Sequence, residues 1–347
     1  MRRAPQRETP AALRAKVAFL RRADAYPERP WRVQAVETHF SWVFLAGRHA
    51  YKLKKPLRFG ALDYRSPQAR RLNCRREVRL NRRLAPDVYL GVVALTCDAR
   101  GGLHLGGRGR RVDWLVKMRR LPASRTLEHA IAARRVRDAD LRRIAARLAG
   151  FYRAARPLAI GVDAYRRHFV QGVRAHRRYL ARPAFALARE PVEAPAKALL
   201  RFLRDRGELL ARRARERRIV EGHGDLRPEH VYLGAPPLIV DCLEFDRALR
   251  ALDPVEELAY LALECERLGA PALGARLLRA WQRTVADRPP PALFEFHMAW
   301  RAYRRAVAAA SHLEDPRAAH VAKWRRRARQ YLRLAALHAR RLAPREE

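Results

Sequence analysis

The sequence contains no run of eighteen or more apolar residues, so we expect no transmembrane span. Its first residues are charged and lack the apolar segment of a signal peptide, so we expect no secretory signal. The cysteines Cys74, Cys97, Cys242 and Cys265 show no C-x-x-C spacing, which argues against zinc and disulfide frameworks. The sequence therefore predicts a cytoplasmic protein with free thiols.

Acidic residues are scarce: 35 Asp and Glu stand against 75 Lys and Arg, for a formal charge of +40. Such a charge could attract nucleic acid or another polyanion. Nearly all of the excess is arginine, dispersed along Ala- and Leu-rich segments such as 142–156 and 325–341. No zinc-finger, RNP-type or heptad basic-region pattern accompanies it. Two explanations of the basic charge stay open. One is a compositional bias that leaves a solvated basic surface, and the other is a genuine attraction of polyanions.

The distribution of strand-like and helical segments predicts the fold class. Hydrophobic residues make up 49% of the 347 residues, which is enough for two lobes with their own cores. The N-terminal third predicts two helices, at 11–22 and 66–84, and β-strands at 33–36, 40–45, 49–54, 89–95, 102–105 and 112–118. From about residue 122 the pattern is helical, interrupted only at 219–245. We therefore expect an α+β protein with two unequal lobes.

The most informative segment is a polar loop within 219–233, followed by an apolar stretch that ends at Asp241. A turn at 234–237 is expected to join the flanking strands as a hairpin. The loop contains His223-Gly-Asp225, so two carboxylates stand sixteen residues apart. A loop with His-x-Asp, followed by a strand that ends in Asp, is how kinases place a base and a metal ligand around a phosphoryl group. The segment predicts a phosphotransferase.

Three loop residues have candidate catalytic roles. Asp225 would accept the proton of a substrate hydroxyl, and the alternative is a turn or capping aspartate. His223 can pack beneath the loop and hold it. Arg227 could stabilise the charge on the transferring phosphoryl oxygens, although a surface role is an equal alternative in a chain so rich in arginine.

Asp241 and His230 are the candidate metal ligands. A carboxylate at the end of an apolar strand is costly unless it is paired or bound to a metal, and Mg²⁺ on nucleotide phosphates would meet that need. An ion pair with an arginine is the alternative. His230 stands five residues after Asp225, where kinases usually have asparagine. Because Mg²⁺ prefers oxygen, His230 is either a ligand or a structural partner within the loop.

Lysines of the N-terminal strands are candidates for binding nucleotide phosphates. Lys52 and Lys54 are two residues apart and so share one face of the predicted strand, and Glu77 lies on the next helix. Kinases direct such a lysine at the nucleotide phosphates and hold it with the glutamate. We prefer Lys54 for this role. One alternative is that Lys52 binds the phosphates, and the other is that both lysines are solvated on the surface of the strand. No glycine-rich phosphate loop is present, so Thr38 and Ser41 or nearby amides would serve. The absence of G-x-x-x-x-G-K-[ST] excludes a P-loop NTPase.

Together these residues resemble the aminoglycoside phosphotransferase-like branch of the protein-kinase-like superfamily. The matching motifs are at 223–228, 239–241 and 253–261, where Asp253 before proline also reads as a helix N-cap. The stretches 37–45, 51–56 and 80–93 are similar to uncharacterised bacterial members in particular. The resemblance covers about residues 15–310.

The resemblance implies a kinase-like bilobal fold that uses ATP and Mg²⁺. A helical extension at 1–30 would precede a small N-lobe at 31–121, with an antiparallel sheet and one main helix. A larger, mostly helical C-lobe at 122–347 would carry the catalytic loop at 219–246. Asp225 would be the base, Asp241 the metal ligand and Lys54, with Glu77, the phosphate contact. A hinge at 114–119, including Lys117 and Met118, would lie near adenine.

The acceptor is harder to name. Enzymes that act on polycationic aminoglycosides need an acidic pocket, and this chain has few acidic clusters beyond 256–257 and 264–266. We therefore expect ATP- and Mg²⁺-dependent transfer to a hydroxyl of a neutral or anionic small molecule. A nucleotide-binding regulatory protein without transfer activity and a basic nucleic-acid-binding protein are the alternatives.

Overall fold

The structure is a computed structural model that describes residues 9–59, 62–314 and 320–342. Up to residue 119 its helices and strands are α1 (Pro10–Leu20), β1 (Val33–Glu37), β2 (Ser41–Ala46), β3 (His49–Lys54), β4 (Arg58–Phe59), β5 (Leu62–Asp63), α2 (Pro67–Asn81), β6 (Tyr89–Cys97), β7 (Leu103–Leu105) and β8 (Arg110–Arg119). The segments predicted for this part of the chain are confirmed, with small shifts at their ends.

The remainder is mostly helical. Its elements are α3 (Leu127–Ala132), α4 (Asp138–Ala154), α5 (Val162–Leu180), α6 (Arg189–Asp205), α7 (Glu208–Arg215), β9 (Val220–Glu221), β10 (Val231–Tyr232), β11 (Leu238–Ile239), β12 (Ala251–Leu252), α8 (Pro254–Arg267), α9 (Ala272–Thr284), α10 (Pro291–Ser311) and α11 (Val321–Arg340). The predicted α+β class is confirmed. None of the helices in the described ranges combines the length and apolarity needed to cross a membrane.

The chain forms two compact units. The N-terminal unit comprises Met1–Ala123 together with Leu238–Arg247, and the C-terminal unit comprises Ser124–Pro237 and Ala248–Glu347. The segment that carries Asp241 is thus grouped with the N-terminal residues, whereas Asp225 lies in the C-terminal unit.

The N-terminal unit is built on an antiparallel sheet in the order β1-β2-β3-β8-β6-β7. Successive residues of a strand point to opposite faces, so the sheet has two distinct surfaces. On one, Phe44 and Leu115 form a core with Leu20 of α1. On the other, Val116 packs with Val78 of α2. Helix α2 thus lies on the face to which Lys52, the register partner of Val116, also belongs.

Capping residues set where several helices begin. Ser66 accepts a hydrogen bond from the N–H of Ala69 at the start of α2, and Thr9 and Thr126 do the same for α1 and α3. Asp253 accepts one from Val255 at 2.9 Å, which confirms it as the N-cap of α8. Asp253 also pairs with buried Arg213 at 2.6 Å, so the start of α8 is tied to α7.

Helix α11 is attached through a buried histidine. Nδ1 of His338 lies 2.7 Å from a carboxylate oxygen of Glu295, and Nε2 of the same ring lies 3.0 Å from a carboxylate oxygen of Glu266. Burial lowers the pKa of His338, but hydrogen bonds to the two glutamates outweigh it, so the pKa is raised above its usual value of 6.5. The imidazolium therefore joins α11 to α8 and α10.

This contact predicts a pH-dependent stability. The raised pKa means that the folded protein binds the proton more tightly than the unfolded chain does, so the stabilisation is complete below about pH 6.5 and is lost as pH rises through the folded-state pKa. Thermal unfolding of wild type and His338→Gln should be compared from pH 5.5 to 8.5. The gap in unfolding free energy, about 2 kcal/mol at the acid end, should narrow as the pH rises. A gap of constant size would contradict the expected protonation.

Candidate functional site

Five charged side chains of the N-terminal unit form what we call the lysine–carboxylate cluster: Lys52, Lys54, Glu77, Asp241 and Glu244. Because Lys52 and Lys54 are two residues apart on β3, both point to the face covered by α2. Nζ of Lys52 lies 2.9 Å from Glu77 and 2.7 Å from Asp241. Nζ of Lys54 lies 2.5 Å from Glu77 and 2.6 Å from Glu244. The structure thus unites the predicted Lys, Glu and Asp of this unit.

The charges of the cluster stabilise one another. Burial raises the pKa of Glu77, but Lys52 and Lys54 outweigh it and hold that pKa below its usual value. Burial likewise lowers the pKa of Lys52, yet Asp241 and Glu77 raise it well above its usual value. Lys52 and Glu77 therefore stay ionised near neutral pH.

The two lysines differ in how accessible their ammonium groups are to a ligand. The side chain of Lys54 is 1% exposed and its ammonium is enclosed by two carboxylates. The side chain of Lys52 is 15% exposed and its partner Asp241 is 43% exposed. The sequence pattern favours Lys54, whereas the geometry favours Lys52 for contact with a ligand. The reason is Glu244, which the sequence analysis did not single out although it lies only three residues after Asp241.

The backbone at Asp241 is held in an uncommon conformation. Its φ is 61°, in the left-handed region, which costs a residue other than glycine about 1 kcal/mol or more. Leu238 and Val240 pack against the core beside α2, which fixes the approach to this residue. The N–H of Asp241 then donates to the hydroxyl of Tyr89 at 3.0 Å, and the next N–H donates to Asn81 at 2.8 Å. These contacts set the direction of the carboxylate.

Thr38 and Ser41 lie at the turn between β1 and β2. The Thr38 hydroxyl donates to the carbonyl of Ser41 at 2.9 Å and accepts from its N–H at 3.0 Å, so it closes the turn. The Ser41 hydroxyl is buried and has no hydrogen-bond partner among the residues described. Ser41 is the register partner of Lys54 and shares its face of the sheet. Of the two hydroxyls, that of Ser41 is the better placed beside the cluster.

Lys117 and Met118 are adjacent on β8 and therefore point to opposite faces. Met118 packs on the α2 side, with Val116 and Tyr89. The ammonium of Lys117 lies 3.1 Å from Glu28 and 5.5 Å from the ring centroid of Tyr51, on the face covered by α1. The structure thus brings Met118, but not the Lys117 side chain, to the face of the cluster.

The C-terminal unit holds the second group of candidate residues, a segment at 222–230 that we call the Asp225 loop. Buried Glu257 of α8 organises its first part: the N–H groups of His223 and Gly224 donate to the carboxylate at 2.8 and 2.5 Å, and the Tyr152 hydroxyl donates at 2.7 Å. A Cβ at Gly222 would lie 2.6 Å from that carboxylate, which explains the glycine. Burial raises the pKa of Glu257 in spite of these donors.

The carboxylate of Asp225 is held on both oxygens. Oδ1 accepts from the hydroxyl of Tyr260 at 2.9 Å, and Oδ2 accepts from Nε of Arg227 at 3.1 Å. Its own N–H donates to Nδ1 of His223 at 3.3 Å. Arg227 also pairs with Glu229 at 2.5 Å. Asp225 is therefore oriented, yet its side chain keeps 23% of its surface exposed to an incoming group.

His230 acts within the loop. Nδ1 lies 2.9 Å from the carbonyl oxygen of Asp225, and Nε2 lies 3.1 Å from Nη2 of Arg227. Since a guanidinium only donates, Nε2 accepts and Nδ1 carries the hydrogen. Both ring nitrogens are thus engaged, which favours the structural alternative over metal ligation. Within the described ranges, no three His, Cys, Asp or Glu side chains gather as a metal site.

No family model matches this sequence. It is 33% identical over 291 residues to uncharacterised proteins of Mycobacterium tuberculosis and Mycobacterium bovis. The match covers 82% of this chain and 56% of each relative, so the chain spans about half the length of the curated relatives it matches.

Solved structures of similar fold cover most of the chain. A choline/ethanolamine kinase family protein from Mesorhizobium loti has a TM-score of 0.51 at 14% identity, covering 93% of this chain and 99% of its own. Choline kinase from Cryptosporidium parvum has a TM-score of 0.51 at 9% identity, covering 92% and 95%. A mutant aminoglycoside 2'-phosphotransferase-IIIa in complex with GDP has a TM-score of 0.51 at 14% identity, covering 94% and 97%. At these identities the likeness establishes a shared fold.

Proposed function

Starting from the protein-kinase-like fold that this chain shares with choline kinases and an aminoglycoside phosphotransferase, we propose that it transfers the terminal phosphoryl group of ATP to a hydroxyl of a small molecule. The observation that carries this proposal is the position of Lys52, whose ammonium lies within 3 Å of both Glu77 and the half-exposed Asp241. Kinases use such a lysine, glutamate and aspartate to hold nucleotide phosphates and a cation.

Each group of the cluster has a distinct task. Lys52 binds phosphate oxygens, and Glu77 fixes the direction of its ammonium. Asp241 fits Mg²⁺ because it offers exposed carboxylate oxygens, the ligand type that this cation prefers. Mg²⁺ supplies neutralisation of the phosphate charge when it is bound. Lys54 and Glu244 support the cluster from its buried side.

Asp225 orients the acceptor. The hydroxyl oxygen of the acceptor forms a bond to the terminal phosphorus, its proton passes to a carboxylate oxygen of Asp225, and the bond from phosphorus to the bridging oxygen breaks to release ADP. Tyr260 and Arg227 hold that carboxylate in place. Arg227 can also turn toward the charge on the transferring group.

A nucleotide-binding regulatory role is the second candidate. Two features of the Asp225 loop favour it: the ion pair between Asp225 and Arg227, at 3.0 Å, and the full engagement of His230 inside the loop. ATP turnover distinguishes the two candidates, since a regulatory protein would bind ATP without consuming it. The four cysteines, all in described segments, form no disulfide, which fits the reducing cytoplasm that we propose for either role.

The proposal is tested by thermal unfolding with ATP and Mg²⁺. At about 100 times Kd, ATP should stabilise the wild type by about 2.7 kcal/mol. Lys52→Met and Asp241→Ala should lose this shift because each removes a group that holds the phosphates or the cation. Lys197→Met, which removes an exposed lysine of α6, is the matched control and should keep it. The absence of any wild-type shift across a range of Mg²⁺ concentrations would rule out ATP binding.

A further inference from the structure

Helix α10 presents arginines to the residues that hold Asp225. Tyr260 donates its hydroxyl to Asp225, and the guanidinium of Arg301 lies over the Tyr260 ring, 4.9 Å from its centroid. Arg304 follows almost one turn later on the same helix, and its charge interacts with both Tyr260 and Asp225. The surroundings of the candidate base are therefore strongly basic on the α10 side.

Only part of the Arg301 guanidinium has a partner for its charge and its hydrogen-bond donors. It is buried, and its Nε lies 2.8 Å from a carboxylate oxygen of Glu256. Nη2 of Arg301 is also buried, yet it makes no hydrogen bond within 9–59, 62–314 or 320–342. A buried donor without an acceptor is costly, so this nitrogen would gain from a further acceptor.

The guanidinium of Arg304 has still fewer partners for its charge and its donors. Its side chain is half-buried, and the structure shows no hydrogen bond or ion pair for it with any described residue; its guanidinium carbon lies 5.7 Å from the ring centroid of Trp300. Burial and the charge of Arg301 lower the pKa of Arg304 to about 10. Other nearby arginines are paired: Arg227 with Glu229, Arg305 and Arg267 with Glu264. Arg304 is thus a cation placed at a free-energy cost.

The charge of Arg304 interacts with two carboxylates, that of Asp225, the candidate base, and that of Glu256, which is paired with Arg301. His297, one turn before Arg301, is fully buried, and neither ring nitrogen has a partner in the described part of the chain. Burial lowers the pKa of His297, so it is a neutral imidazole. The ring of His176 stacks on Trp300 at 5.1 Å.

We propose that Arg301 and Arg304 bind an anionic group, a phosphate or a carboxylate, on the acceptor molecule whose hydroxyl is presented to Asp225. This inference rests on the proposed phosphotransfer. A phosphate or carboxylate accepts from guanidinium groups in pairs, and it would supply both the acceptor for Nη2 of Arg301 and the counter-charge for Arg304. A polycationic acceptor would instead meet like charge. The acceptor class is therefore a phosphorylated or carboxylated alcohol.

The test compares three probes: glycerol, which is uncharged, glycerate, which carries a carboxylate, and glycerol 3-phosphate, which carries a phosphate. Since the nucleotide site also attracts phosphate, binding is measured by calorimetry in the Lys52→Met background, without ATP. One of the two anions should bind there, and Arg304→Gln should weaken it about tenfold to a hundredfold. Arg333→Gln, which removes an exposed arginine of α11, should leave the affinity unchanged.

A stability measurement separates this role from a structural one. Because Arg304 makes no ion pair with any residue that the structure describes, Arg304→Gln should unfold at the same temperature as its parent or at a higher one. A lower unfolding temperature with unchanged anion affinity would overturn the proposal, as would equal binding of glycerol and the two anions. If no anion binds while the wild type still shows the ATP shift, this inference fails alone. If the ATP shift is also absent, the proposed phosphotransfer fails with it.

Discussion

Replacing Asp225 with asparagine is expected to lower the rate of phosphoryl transfer by about a hundredfold to ten-thousandfold, the range measured for the loss of a positioned general base. Asparagine cannot take the proton of the acceptor hydroxyl, and its NH₂ group would face one of the two donors, Tyr260 and Arg227, that now meet the carboxylate. ATP binding should persist, because the lysine–carboxylate cluster is unchanged. The measurement is ADP release, with an acceptor screen over small hydroxyl compounds.

Two comparisons make this result interpretable. Asp163→Asn, which neutralises an exposed aspartate in the first turn of α5, should retain wild-type turnover. The thermal shift with ATP should be the same in Asp225→Asn and in wild type, which shows that the nucleotide still binds. Equal ADP release by Asp225→Asn and wild type would exclude Asp225 as the base. An ATP-induced thermal shift without ADP release by the wild type would favour the regulatory role.

Replacing Glu257 with alanine is expected to destabilise the protein by about 3 kcal/mol or more, since it leaves two buried backbone N–H groups and a tyrosine hydroxyl without their acceptor. Glu257→Gln should be intermediate, because its amide oxygen can serve the N–H of His223 and the Tyr152 hydroxyl while its NH₂ group faces the N–H of Gly224. Urea unfolding near 25 °C measures both effects.

The matched control is Glu190→Gln on the exposed first turn of α6, which should change the free energy of unfolding by less than about 0.5 kcal/mol. Glu257→Gln should also slow turnover more than it weakens ATP binding, because the Asp225 loop is displaced while the lysine–carboxylate cluster is not. A Glu257→Ala variant as stable as wild type would show that the loop finds other partners.

Much of the fold follows from periodicity in the sequence. Alternation at 33–54 and 112–118 predicted the strands that the structure shows, and the Asp-Pro pair at 253–254 predicted the start of α8. The protein-kinase-like fold that the sequence resemblance implied is likewise confirmed. These features depend on local backbone preference and on one apolar face per element, which neighbouring residues reveal.

The detail of the site depends on contacts that are distant in sequence. Lys52 and Lys54 share a face, so alternation could not decide between them; Glu244, 190 residues after Lys54, distinguishes them. Glu257 was noted only as part of an acidic pair, and the loop N–H groups that need it lie 33 and 34 residues earlier. A buried acidic residue on an apolar helix face was the available signal for it.

The left-handed backbone at Asp241 has an evolutionary consequence. Glycine adopts this conformation without steric penalty, so the aspartate is kept there at the expense of conformational energy. Selection for robustness alone would favour glycine at this position, whereas selection for the carboxylate opposes it. The residue at position 241 should therefore separate homologues that retain the proposed cation-binding carboxylate from homologues that carry glycine and lack it.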